Sequence, residues 1–148
     1  MSGAASIAFA SEIDAEWLKM QGGLRDAVIY IVTEGLARLT EKSPVADPST
    51  WRHPRPHVGG TFRANWLVSI GSSDDGTKTE TLGAFAGRNS GAIASYAAMT
   101  GFPVIYLQNN MPYALRLENG WSKQAPSGVV AMTVAELEMI WSGMGDRL

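Results

Sequence analysis

Between Asp14 and Lys42, the residues Trp17, Leu24, Val28, Ile31, Val32, Gly35 and Leu39 recur at helical spacing along the chain. That period traces one face of an α-helix and predicts a long helix with a single buried stripe. Ser11 or Asp14 can cap its start, and Glu12, Asp14 and Glu16 suit the positive end of its dipole. The pair Gly22-Gly23 weakens the middle by about 1 kcal/mol per residue relative to alanine, so the firm part is expected from Leu24. The helix must stop by Ser43, because Pro44 disfavours the α conformation in the residue before it.

The 148 residues suffice for one domain with a core of its own. Only 18% are charged against 45% hydrophobic. That fraction lies below the roughly 25% usual for soluble domains, so part of the surface is expected to be covered in an assembly. A net charge of −2 gives no global pull towards nucleic acid or an anionic membrane. The absence of cysteine excludes disulfides and thiolate metal sites. No stretch approaches the roughly 20 apolar residues of a membrane span, and the N-terminus does not read as a secretory signal. The chain is therefore expected to be soluble and made in the cytoplasm. Residues 1–13 read as a flexible arm, whose small and apolar first eleven residues have the composition to become ordered on a neighbouring subunit.

Past the helix, residues 44–60 carry four prolines and almost no periodicity, which predicts an irregular loop. Thr61–Gly71 alternates through Phe62, Trp66, Val68 and Ile70 and reads as a strand. Ser90–Phe102 reads as an alanine-rich helix ending at Gly101. Pro103–Asn110 reads as a strand buried on both faces at Val104–Leu107. Pro112 suits the first turn of a short helix. Thr133 and Glu136 form a capping box for a terminal helix. Two or three further strands have room in residues 72–90. The expected architecture is α+β: a single domain with a long N-terminal helix, a small, mainly antiparallel sheet and a C-terminal helix. Trp66 and Trp141 fall at core positions.

Catalytic and metal chemistry finds little support. His53 and His57 are four apart, but the intervening Pro54-Arg55-Pro56 forbids the helix that would present both to one ion, and they read as solvated loop residues. The stretch from Gly83 to Gly91 lacks the Lys-Ser/Thr ending of a phosphate loop and reads as a flexible entry to a helix. A hydrolase using the two histidines is the weakest reading, and neither a catalytic residue nor a cofactor is assigned. Arg52, Arg55 and Arg63 lie near Trp51 with no acid between Arg52 and Arg63 after Asp47, a combination that suits a DNA channel or a partner surface. A nucleic-acid-binding module built on this loop would bind duplex DNA in isolation and lose it as salt rises.

The most shaped stretch is "YALRLENGWSKQAPSG", Tyr113 to Gly128. Tyr113, Leu115 and Leu117 are apolar in a short helix and are expected to pack inward at least in part. Asn119-Gly120 suits the left-handed end of a helix, Pro126 fixes φ, and Gly128 completes a turn. Glu118 is placed to accept bonds from backbone N–H groups of the loop that follows, or to pair with Arg63 or Arg116. Trp121 stands in a loop, where it packs on its own domain or meets a partner. Such a loop keeps one shape without offering a reactive group.

"KSPV", then "GGTFRANWLVSIG", then "IYLQNNMPYALRLENGWSKQAPSGVVAMTVAEL" resembles the neck or tail-completion proteins of long-tailed double-stranded DNA bacteriophages. The likeness spans roughly Leu24 to Ile140, and the order of residues in "NNMPYALRLENGWSKQAPSG" is its most specific part. Many relatives run from Ser-Pro-Val into Asp-Thr-Gly, whereas this chain inserts residues 46–58. The resemblance implies a virion structural protein at the head–tail joint, without enzymatic activity. It implies a homo-oligomeric ring, a hexamer or dodecamer, touching connector, stopper, tail-terminator or tail-tube proteins. The related tail-terminator proteins are the alternative within that class. Under this reading Glu118, Trp121, Ser122, Lys123, Gln124 and Pro126 form the subunit or partner interface.

Overall fold

The computed structural model describes residues 3–47, 59–78 and 82–145. Its elements, in order, are α1 (Gly3–Lys42), a single 3-10 turn (Arg63–Asn65), β1 (Trp66–Ile70), α2 (Leu82–Tyr96), β2 (Ile105–Asn109), α3 (Ala114–Glu118) and α4 (Val130–Met144). β1 and β2 form a two-stranded antiparallel sheet running from Trp66↔Asn109 to Ile70↔Ile105. The α+β architecture expected from the sequence is therefore present. No helix among the described residues is long and apolar enough to cross a membrane.

α1 is longer than its apolar period predicts. It runs unbroken through Gly22-Gly23 for 40 residues, about 60 Å at the usual rise, so neither Ser11 nor Asp14 caps it and Leu24 does not begin it. Residues 11–20 are all exposed, and the helix packs beyond them. Arg25 marks the point of entry, donating to the carbonyls of Tyr96 (3.0 Å) and Gly101 (2.6 Å). Its guanidinium also lies 5.1 Å from the ring centroids of both Tyr96 and Phe102. An arginine thus ties α1 to the end of α2 and to the turn that follows it. Further along, a Cβ added at Gly35 would stand 3.1 Å from Leu137 and 3.2 Å from Leu107, so glycine here lets α1 lie close against α4 and β2.

The core gathers Leu39, Phe62, Ala64, Trp66, Phe85, Ala125 and Val129, with Leu107, Met111, Tyr113 and Leu117 packed around it. Phe62 meets Trp66 edge-on at 5.8 Å. Trp66 also donates its indole N–H to Ser43 Oγ at 2.7 Å, and Ser43 in turn donates to the Leu39 carbonyl at 2.6 Å. The residue that ends α1 is thereby locked into the core.

A two-stranded ribbon is marginal alone, and here α2 supplies what a third strand would. Asn89, fully buried, accepts from the Val68 N–H (3.2 Å) and donates to the Trp66 carbonyl (2.7 Å). Asn65 binds the carbonyls of Thr61 and Lys78 and accepts from the Lys78 N–H, so it folds the loop after β1 back onto the sheet. Gln108 and Asn110 hold the same loop at Asp74 and Gly76.

Several expectations need correction. Residues 72–78 carry no strand and residues 82–90 belong to α2, so no further strand occurs among the described residues of that region. The Gly83–Gly91 stretch is regular helix rather than a flexible entry, because Asn89 and Phe85 anchor it to β1 and the core. β1 begins at Trp66, after the 3-10 turn, rather than at Thr61. β2 is half-buried throughout, not buried on both faces, since the two-stranded sheet lacks a layer to cover its second side. Thr133 is not a cap: it lies inside α4, buried, and donates to the Val129 carbonyl at 2.8 Å. Glu136 instead meets Arg38 and Lys42, both at 2.9 Å, tying α4 to α1. Trp141 is 43% exposed rather than core.

Asn89→Ala removes both bonds to the β1 edge and leaves the Val68 N–H without its acceptor, while Arg88 still donates to the Trp66 carbonyl at 3.3 Å. It is expected to cost about 2–4 kcal/mol in urea unfolding with an unchanged m-value. A loss below about 0.5 kcal/mol would show that the edge does not depend on this side chain.

Candidate functional site

The stretch from α3 to α4 is a loop fastened at five points. Gly120 leaves α3 with φ +78°, and a Cβ there would come within 2.5 Å of the Pro126 carbonyl oxygen. The loop therefore closes on itself only because residue 120 has no side chain. Gly128 repeats the arrangement at the far end: φ is +84°, and a Cβ would stand 2.6 Å from Glu118 Oε1 and 2.7 Å from the Glu118 carbonyl oxygen.

That close approach serves the Glu118 carboxylate. Its two oxygens accept from the backbone N–H groups of Val129 (2.9 Å), Val130 (2.8 Å) and Ala131 (2.8 Å). These are donors at the start of α4 that have no intrahelical partner, and the negative charge sits at the positive end of the dipole. Burial alone would raise the carboxyl, but bonds from Ala131, Val130 and Val129 outweigh it and hold Glu118 below the usual carboxylate range. The last residue of one helix thus caps the next.

Between these ends, Ala125 is buried in the core. Gln124 pairs with the backbone of Val45 through both halves of its amide, accepting from the N–H at 3.1 Å and donating to the carbonyl at 3.0 Å. Ser122 Oγ accepts from the Gln124 N–H at 3.2 Å, and the Ser122 carbonyl accepts from the Ala125 N–H at 3.0 Å. Arg63 reaches the other side of the same strap, donating to the carbonyls of Ser43 (2.9 Å) and Glu41 (3.3 Å). The Ser43-Pro44-Val45 segment is therefore clasped from two directions.

What this scaffold presents outward is narrow. Trp121 is 67% exposed, with the Arg116 guanidinium 4.7 Å over its ring; Leu115 is 77% exposed beside them on α3. Lys123 is exposed on the same loop. A tryptophan with a stacked arginine, held on fixed backbone and left uncovered, has the composition of an interface centre.

The sequence-predicted residues divide accordingly. Trp121 and Lys123 face outward. Glu118 turns inward and holds the loop, while Gln124 is exposed and clasps Val45 along the surface. Ser122 supports the turn, and Pro126 contributes its carbonyl to the closure at Gly120. Arg63 is committed to α1 and the strap rather than to a channel, and it does not pair with Glu118. Arg52, Arg55, His53 and His57 lie outside the described residues. Leu115, expected to turn inward, points out, because a helix of five residues has too little length to bury both Leu115 and Leu117. Ser43 was missed altogether; its only sequence signal is its place at the end of α1. Among the described residues, no group of three or more His, Asp or Glu side chains lies close enough to hold a metal ion.

No family model, curated protein or solved structure matches this chain.

The Glu118 cap has a pH signature. Because the folded carboxyl titrates below its unfolded value, its contribution is complete above about pH 4.5 and is lost as pH falls through the folded value. Glu118→Gln is expected to cost about 1–3 kcal/mol at neutral pH, with the gap to wild type closing on acidification in parallel urea titrations. A gap independent of pH would contradict the charge-based cap. Gly128→Ala meets both the positive φ and the carboxylate. It is expected to cost about 2–4 kcal/mol by the same measurement; a neutral effect would show that the loop relaxes freely.

Proposed function

We propose that this chain is a structural protein of the virion head–tail connector, a neck or tail-completion subunit of a long-tailed double-stranded DNA bacteriophage. The observation that carries the reading is the stretch 109–128. The residue order of "NNMPYALRLENGWSKQAPSG" resembles that family, and its polar side chains are spent on shape. Glu118 caps α4, Gln124 clasps Val45, and Asn110 holds the loop at Asp74 and Gly76. A loop so held, with Trp121 uncovered on it, suits a contact repeated identically in every copy. A rigid contact pays little ordering entropy when subunits meet.

On this reading the subunits dock head to tail, and the ring closes when the rotation between neighbours divides the circle. Six or twelve copies would encircle the tail axis. Trp121, Arg116 and Lys123 face a neighbouring subunit or an adjoining connector, stopper, tail-terminator or tail-tube protein. The low charge fraction, 18%, fits a surface that is partly covered in the assembled particle.

Deleting the reading frame from a phage that encodes it tests this directly. The expected result is DNA-filled heads and finished tails that stay unjoined in electron micrographs, restored by wild-type protein in trans and poorly by Trp121→Ala. Normal joining without the chain would overturn the reading. Tails of irregular length would assign the chain to the tail terminator instead.

A further inference from the structure

Residues 11–20 of α1 lie outside the packed body. Every residue from 11 to 20 is exposed, yet Ile13, Trp17, Met20 and Leu24 recur four, three and four places apart on one helix face. Their exposures are 52%, 54%, 55% and 36%. The same stripe continues into the body through Ala27, Ile31 and Gly35, where it is covered. One amphipathic face is thus half used, and the unused half carries a tryptophan at its centre.

A receptor of the matching kind lies on the other side of the same helix. α1 and α2 line a mainly apolar groove of about 560 Å³, with Leu36, Ala37, Phe85, Ile93 and Ala94 on its walls and Thr40 and Glu41 among them. Along α1, Leu36, Ala37 and Thr40 fall on the side away from Ile31 and Gly35, by helical spacing. Stripe and groove therefore do not compete: a copy that inserts its own arm keeps its groove free for another. That is the requirement for a head-to-tail contact that propagates, as opposed to a two-fold pairing of like faces.

Size agrees. A compact chain of 15.9 kDa exposes roughly 7,400 Å². This one exposes 9807 Å² over the whole chain, roughly 2,500 Å² more, and the uncovered helix contributes to that excess; a standard contact takes about 800 Å² from each partner. The arm, about 30 Å of helix N-terminal to Arg25, is long enough to reach past its own body to a neighbour.

We propose that the exposed stripe Ile13-Trp17-Met20-Leu24 of one copy seats in the α1/α2 groove of the next, so that arm exchange links the subunits. This deepens the connector reading and rests on it only for closure of the linked copies into a ring.

The chain has no cysteine, so introduced thiols report contacts without background. Met20→Cys and Ala37→Cys are prepared separately and treated with a short bismaleimide, alone and mixed. The mixture is expected to cross-link about tenfold faster than either variant alone, because docking raises the effective concentration of one thiol at the other. Trp17→Asp is expected to leave the far-ultraviolet circular dichroism unchanged, the residue being exposed, and to convert the oligomer to monomer by light scattering. Met20→Cys cross-linking to itself as fast as in the mixture would overturn the proposal in favour of arm–arm pairing. A wild-type chain that stays monomeric at high micromolar concentration would overturn it as well. A Trp17→Asp protein that cannot self-associate but still restores head–tail joining would sink arm exchange and leave the connector reading standing. Unimpaired joining in the deletion, with the mixed cross-link intact, would do the reverse.

Discussion

The carboxylate of Glu118 is the fixed point of this fold. It belongs to the last residue of α3 and satisfies the first free amides of α4, so two helices and the eleven residues between them share one anchor. Glycine at 128 exists to let that carboxylate approach, and glycine at 120 lets the loop close over Pro126. With the ends so determined, Ala125 drops into the core and Gln124 meets the strap that follows α1. Trp121 stays 67% exposed, with only the Arg116 guanidinium stacked over its ring among the ring contacts of the described residues.

The same economy runs through the rest of the chain. A two-stranded sheet has two free edges and little area, and the structure compensates with amide side chains instead of more strands. Asn89 serves β1 from α2, and Asn109 ties β2 to Phe62 at 2.8 Å. Each of these bonds ties one element to a backbone carbonyl of another near the core. The consequence is a small body held by directional contacts, onto which a helix much longer than the body is mounted.

The sequence showed periodicity and turn chemistry well and long-range polar partnerships badly. The apolar spacing from Leu24 to Leu39 located the packed half of α1, and Asn119-Gly120 located the end of α3, with Gly120 alone taking the left-handed conformation. Glu118 as an acceptor for later amides was also legible. The start of α1 was not, because propensity at Gly22-Gly23 argues for a break that a continuous helix overrides. α2 was placed eight residues late, since Phe85 and Asn89 owe their helical setting to contacts with β1 that no local pattern encodes. Thr133 and Glu136 matched a capping box by spacing, but the cap had already been supplied from outside the helix. Trp141 sat at a core period on a helix whose packed side is narrow, which periodicity alone does not reveal.

The fixed loop bearing an exposed tryptophan and the exposed apolar stripe of α1 are the two surfaces on which the proposed ring rests. The central claim is that copies of this chain surround the axis where head meets tail. Cryo-electron microscopy of the intact particle tests it most directly. The account predicts density for α1 and the 113–128 loop in every copy of a closed ring at the connector. A connector that lacks this chain, or holds one unrepeated copy of it, would contradict the account.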